Sequence, residues 1–216
     1  MLDPIIVTGL PRSRTSMTMQ MMELSGLFLG DAIFATAANP QGQRENRYII
    51  DQIQKPHFKK FKFCPKGQKP LPPLGWYEKD PKRRENVLEI MKGQGLKPGM
   101  IWGFKDSKAS LDWRAWSVAF PHAFWVVTER KDEYVITSCL RTSFMDKYKD
   151  RNGWQYWIDE HKLRFDDMFK HLKKIRKLNT DDVVAFDFNV LEEIVNAVGL
   201  KWDYDKIKNQ VQPVRR

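Results

Sequence analysis

Short β-branched apolar runs alternate along the chain with stretches in which apolar residues recur every third or fourth position. The first pattern predicts buried strands and the second amphipathic helices. Ile5–Gly9 reads as the opening strand. Ser16–Phe28 follows as a helix, with Met17, Met21, Leu24 and Phe28 on one stripe and Met19 and Met22 widening it. Such a methionine-rich face belongs in a core. Asp31–Asn39 reads as a connection, and turn chemistry from Asn39-Pro40 to Glu45 leads into a helical stretch over Asn46–Gln54.

From Lys55 to Pro98 the chain turns irregular, with prolines scattered among lysines, glycines and aromatics and one helix at Pro81–Met91. A long proline-rich excursion inside a compact domain is more often a lid or binding loop than scaffold. Phe58, Phe61, Phe63, Trp76 and Tyr77 either line an acceptor site there or tack the loop down. Alternation then resumes with a strand at Met100–Lys105, a helix at Leu111–Phe120, a strand at Ala123–Thr128 and a helix at Asp132–Thr142. A long amphipathic helix over Trp154–Lys177, a last strand over Asp181–Phe188 and a helix over Leu191–Val198 complete the order. Strands joined by helices imply an α/β fold of three layers, a central parallel sheet flanked by helices, with ligands bound outside the carboxyl ends of the strands.

With 216 residues, 42% of them hydrophobic, the chain can build one sizeable core, and two full domains would be cramped. A single domain over 1–216, with the excursion at about 55–98, is therefore expected. No run approaches a bilayer span and no leader pattern precedes the first strand, so the expectation is a soluble, cytoplasmic protein. Cys64 and Cys139 lack metal-ligand spacing, and a disulfide between them would be unusual in a reducing cytosol. The formal charge of +10 would draw nucleic acid, a nucleotide or an acidic polymer. No recognition-helix, finger or RNA-binding signature accompanies it, which argues against reading of nucleic acid. The lysines of Lys170–Lys177 read as the solvated face of the long helix.

The chemistry concentrates in Ile5–Ser16, IIVTGLPRSRTS. Strand, turn and helix N-terminus form a geometry that holds a phosphate-like group on backbone amides at the positive end of a helix dipole. Ser13, Thr15 and Ser16 add hydroxyl donors, and Arg12 and Arg14 add forked cations. A nucleoside-triphosphatase loop laid on from Gly9 would put Arg14 at its second glycine and Thr15 at its lysine, so the β/γ end of ATP with magnesium is not the expected ligand.

GLPRSRTS resembles the 5′-phosphosulfate loop of the P-loop-like sulfotransferases that use 3′-phosphoadenosine 5′-phosphosulfate (PAPS), a pattern close to P-[KR]-S-G-[TS]-[TS] beginning here at Pro11. Arg14 stands where glycine is usual, at a position where a left-handed torsion would suit glycine. Asn39-Pro40-Gln41-Gly42-Gln43-Arg44-Glu45 is similar to the N-P-x-G-x-x-E segment of bacterial-type members, which places Glu45 near the acceptor. WGFKDS, followed by FPHAFWVVTERKDEYVITSCLR, resembles the block that holds the 3′-phosphate, with Arg130 and Ser138 at the matching pair and Lys105 at a strand-end lysine. Asp132, Tyr134 and Ser107 depart from that block. The close of the chain resembles the family's terminal segment, with Asp187 near its acidic position.

The resemblance implies transfer of a sulfuryl group from PAPS to a hydroxyl or amine of a small-molecule or glycan acceptor, releasing adenosine 3′,5′-bisphosphate (PAP), without a metal. Pro11, Arg12, Ser13, Arg14, Thr15 and Ser16 would hold the donor's 5′ end, and Arg130 with Ser138 its 3′-phosphate. Arg12 would offset charge on the bridging oxygen, Lys105 would assist, and Arg14 would help either group or point to solvent. Asp31, Glu45 and His57 are the candidate bases, with Glu45 first. Two other readings stay open: a P-loop-type nucleotide or small-molecule kinase, and a non-catalytic binder of nucleotide or nucleic acid.

Overall fold

Four strands, β1 (Ile5–Gly9), β2 (Gly103–Lys105), β3 (Phe124–Glu129) and β4 (Ile175–Asn179), pair in parallel in the order β2-β1-β3-β4. They belong to a computed structural model that describes residues 1–32 and 42–211. The helices are α1 (Thr15–Leu24), α2 (Lys55–Lys60), α3 (Arg83–Gly93), α4 (Trp113–Ala119), α5 (Asp132–Leu140), α6 (Arg151–His171), α7 (Thr180–Val184), α8 (Asn189–Ala197) and α9 (Tyr204–Lys208). A π-helical stretch, Ile49–Gln54, runs into α2, and a 3-10 turn at Ala109–Leu111 precedes α4. None of the helices described is long and apolar enough to cross a membrane.

Strand alternation divides the core into two layers. Ile6, Trp125 and Val127 face one side with Trp116, Trp154, Trp157 and other residues of α3 to α6. Ile5, Val7 and Val126 face the other with Met19, Met21 and Met22 of α1 and Leu191, Ile194 and Val195 of α8. The methionine face is therefore core, carried most deeply by Met19, Met21 and Met22. Gly103 lies so close beside β1 that a Cβ there would strike the Ile5 carbonyl. Cys64 and Cys139 are separate buried thiols.

The structure departs from the sequence reading at several elements; the expected helix over Ser16–Phe28, for one, ends at Leu24, and Phe28 bridges Trp102. The long helix ends at His171, and Ile175–Lys177, expected to close it, instead belong to strand β4. Ile175 and Leu178 sit three apart, which imitates a helix stripe, but in the strand they enter opposite core layers. The expected last strand over Asp181–Phe188 is α7 and the turn after it, because the Asn179 side chain caps the Asp181 amide and Asp181 and Asp182 occupy the first turn. Finally, the excursion contains α2, and Phe61, Phe63 and Trp76 pack on one another with centroids 4.9 Å apart for Phe63–Trp76 and 5.2 Å for Phe61–Trp76. Those rings tack the loop down. The Asn39-Pro40-Gln41 turn and most of the connection before it lie outside the described residues.

Candidate functional site

The first turn is stitched to its neighbouring strand before it can meet any ligand. Gly9 has φ +146°, and a Cβ there would lie 2.6 Å from the Thr128 carbonyl oxygen of β3. The Leu10 carbonyl accepts from the Ser13 amide at 3.0 Å and from Ser13 Oγ at 2.7 Å. Ser13 Oγ also lies 2.7 Å from Thr128 Oγ1. Ser13 was expected among the hydroxyl donors to the anion, but its hydroxyl is fully buried and engaged in the fold. Pro11 opens the turn half-buried, and Thr15, at the start of α1, is buried. Arg12 and Arg14 take φ +75° and +62°, so the left-handed torsion is present and arginine adopts it. That geometry costs an L-residue about 1–2 kcal/mol.

α1 leaves β1 toward one core layer, while α5 leaves β3 toward the other. Adjacent parallel strands whose connections part in this way open a crevice at their carboxyl ends. Into that crevice the chain brings residues more than a hundred positions apart. Arg12 Nε donates to Ser138 Oγ at 2.8 Å, and Arg130 Nη1 donates to the Arg12 carbonyl at 3.1 Å. Arg12, Arg130 and Ser138 line a cleft of about 530 Å³ together with Tyr134, Thr137 and Arg141. The Arg130 guanidinium lies 5.3 Å from the Tyr134 ring centroid. Arg12 and Arg130 thus stand on the same side and edge of the sheet.

Arg14 does not point to solvent: its Nη1 meets Asp181 Oδ1 at 2.5 Å. Asp181 also accepts from the Lys131 amide at 2.8 Å and lies 3.9 Å from Arg130 Nε. One carboxylate therefore ties the ends of β1, β3 and β4 together. Burial pushes the Asp181 carboxyl up, but the Lys131 amide and the Arg14 and Arg130 charges pull it further down, below its usual value. Arg130 is pushed below the usual arginine value, by burial first and then by Arg14, with Asp181 opposing. The sequence reading missed Asp181 and pointed to Asp187, which instead accepts the Asn189 amide at 3.2 Å at the start of α8. The signal was present as Asn179-Thr180-Asp181-Asp182, a helix start rather than a strand.

On the other flank of the first turn, Lys105 Nζ donates to Glu45 Oε1 at 2.8 Å, to the Gln43 carbonyl at 3.1 Å and to Ser16 Oγ at 3.4 Å. Ser16 Oγ in turn donates to the Gln43 carbonyl at 3.0 Å. Burial raises the Glu45 carboxyl, but Lys105 and Lys108 more than offset it and hold its pKa at about 2. Lys108 is itself paired with buried Asp106 at 2.6 Å. His57 lies elsewhere, between Phe61 and Trp76 and 3.9 Å from Asp112; burial and then Arg83 push it to about 4. Of the three candidate bases, Glu45 is the one joined to Lys105 and the first turn.

The residues present suit an anionic group. Arg12, Arg130 and Arg141 line the cleft with no carboxylate in its described lining, Asp181 meets Arg14 and Arg130 beside it, and Arg130 Nε is buried without a hydrogen-bond acceptor. An anion would supply the missing negative charge. No protein-family model matches the sequence, and no curated protein sequence matches it. Solved structures do match. The sulfotransferase domain of a Synechococcus olefin synthase aligns over 99% of this chain and 79% of its own, with TM-score 0.57 and 14% identity. A sulfotransferase from Mycobacterium avium aligns over 96% and 67%, with TM-score 0.62 and 12% identity. The sulfotransferase domain from the curacin biosynthetic pathway aligns over 100% and 80%, with TM-score 0.57 and 12% identity. The chain has the α/β, P-loop-like fold of these enzymes.

Proposed function

We propose that this chain transfers a sulfuryl group from PAPS to an acceptor hydroxyl or amine and releases PAP. The observation that carries the reading is the convergence of Arg12 with Ser138 and Arg130 at one crevice, the arrangement needed to clasp both anionic ends of one adenine nucleotide. The fold shared with solved sulfotransferases supports it.

In this reading the amides of the first turn, Arg12, Thr15 and Ser16 hold the 5′-phosphosulfate, while Arg130 and Ser138 hold the 3′-phosphate. Arg14, its charge balanced by Asp181, fixes the turn that presents these donors. The bond between sulfur and the phosphate-bridging oxygen breaks as the bond from sulfur to the acceptor atom forms. Arg12 offsets the charge that collects on the bridging oxygen, and Lys105 approaches the sulfuryl oxygens from the Ser16 side. The acceptor's proton goes to Glu45. Paired with Lys105, Glu45 is a weak base; once Lys105 turns its charge to the sulfuryl oxygens, the restraint on Glu45 weakens and its basicity rises.

Calorimetric titration with PAP, ATP and short DNA tests the reading, followed by turnover with sulfur-labelled donor. Tight PAP binding with little for ATP, and labelled product from an acceptor panel, are expected. Tighter binding of ATP than of PAP would retire the sulfotransferase assignment in favour of a kinase, and PAP binding without any transfer would leave a silent nucleotide binder.

A further inference from the structure

One face of α5 looks into the nucleotide cleft, and it ends on a cation that nothing in the fold engages. Tyr134, Thr137, Ser138 and Arg141 recur at helical spacing, which stacks them on one side of the helix, and all four line the cleft. Arg130 and Ser138 already have partners there, the Arg12 carbonyl for the first and Arg12 Nε for the second. Arg141 does not. Among the described residues its guanidinium forms no hydrogen bond and no ion pair, and it stands exposed at the cleft. It is also the C-cap of α5, where the helix dipole is negative. An anion at that end of the helix is repelled unless a cation stands beside it.

The loop that starts at Arg141 is held from far away in sequence. Thr142 Oγ1 donates to the Ser138 carbonyl at 2.6 Å, and the Met145 amide donates to the Thr142 carbonyl at 3.0 Å. Gln68, fully buried in the proline-rich excursion, then grips the loop at its far end. Its Nε2 donates to the Phe144 carbonyl at 2.8 Å, and its Oε1 accepts the Asp146 and Lys147 amides at 3.1 Å each. The neighbouring Gly67 carbonyl accepts from Trp157 Nε1 of α6 at 3.0 Å, which anchors this turn of the excursion in the core. A buried amide that spends three hydrogen bonds on one loop fixes where that loop lies.

We infer that Arg141 is a specificity-determining residue for the 3′-phosphate of the nucleotide, and that Gln68 is the positioning residue that fixes the loop carrying it. The inference rests on the sulfotransferase reading and adds a third group to Arg130 and Ser138. A phosphate has more acceptor sites than those two can fill, and the unengaged fork of Arg141 meets the rest. A nucleotide with a free 3′-hydroxyl gives that fork nothing charged to hold. Arg141 therefore separates nucleotides by their 3′ end and is indifferent to their 5′ end.

The test is calorimetric titration of the full chain with PAP and with adenosine 5′-monophosphate (AMP), which differ by the 3′-phosphate alone. Arg141→Ala should raise Kd for PAP about tenfold and leave that for AMP in place. Arg141→Lys keeps the charge without the fork and should recover part of the loss. Gln68→Ala should move the PAP-to-AMP ratio in the same direction, whereas a role in stability alone would lower the melting temperature with the ratio untouched. Because Arg141 is exposed, its variants carry the test even where Gln68→Ala does not fold. An unchanged ratio in Arg141→Ala, equal losses for both nucleotides, or an unchanged ratio in folded Gln68→Ala would overturn the inference. The unsubstituted chain separates the two levels. Absent PAP binding there defeats the donor assignment, whereas PAP binding that ignores Arg141→Ala defeats the role of Arg141 alone.

Discussion

Asp181→Asn should cost about 2 kcal/mol of stability at neutral pH, and that cost should shrink as the solution is acidified. The substitution keeps an oxygen to accept the Lys131 amide, so it removes charge with little change of shape. Arg14 and Asp181 are 16% and 14% exposed, between a surface pair worth about 0–1 kcal/mol and a buried pair whose breakage costs about 3–5. Asp181 has its carboxyl held below the usual value, so its contribution is complete above the unfolded-chain pKa of about 3.9. It disappears as pH falls through the lower folded value. Urea denaturation followed by tryptophan fluorescence measures this; at a slope of about 2 kcal/mol/M the midpoint should drop by about 1 M. Inorganic sulfate supplies the second arm, because an anion can take the carboxylate's place among Arg12, Arg14 and Arg130. Sulfate should therefore stabilise the variant more than the parent. A loss under about 0.5 kcal/mol, a loss independent of pH, or equal stabilisation by sulfate would refute the view that Asp181 balances the three guanidiniums.

Gly9→Ala should destabilise by about 3 kcal/mol or more, since φ +146° and the nearby Thr128 carbonyl leave no room for a methyl group; urea midpoints check it. For Glu45→Gln, the drop from 4.5 to about 2 corresponds to about 3 kcal/mol that the parent holds above pH ~4.5 and loses as pH falls toward 2. Parent and variant stability curves should converge in acid, and turnover of the variant should fall with PAP affinity retained. His161 is buried against Trp157 and pushed to about 3, by burial against the opposing pull of the Trp157 carbonyl. The unfolded chain therefore binds a proton that the folded one refuses, and stability should fall by about 4–5 kcal/mol from pH 6.5 to 3; His161→Phe should flatten that slope in acid denaturation.

The fold and the site were legible to different depths. The first turn announced itself because a strand, an αL-prone turn and a hydroxyl-rich helix start are local features. Arg130 and Ser138 were legible as a pair through the resemblance of their block to the sulfotransferases, and their spacing is compatible with a strand end and the helix that follows. β4 was not, because an edge strand with two core residues and two exposed cations lacks the alternation that marks a strand. Asp181 went unseen with it, since a misplaced strand moved the carboxyl edge several residues along the chain.

Local pattern by itself determined that the chain alternates strand and helix and that Arg12 and Arg130 both follow strand ends, and it raised the expectation of an anion at the first turn. Only the assembled sheet decided which groups meet. The strand order puts β1 beside β3, sends their helices to opposite layers, and leaves Arg12 within hydrogen-bond reach of Ser138. Neighbouring groups outweighed burial and decided the charges, drawing Glu45 down beside Lys105 and Asp181 down beside the Lys131 amide, Arg14 and Arg130. Sequence spacing carries neither kind of information, because both depend on what the rest of the chain brings within a few ångströms.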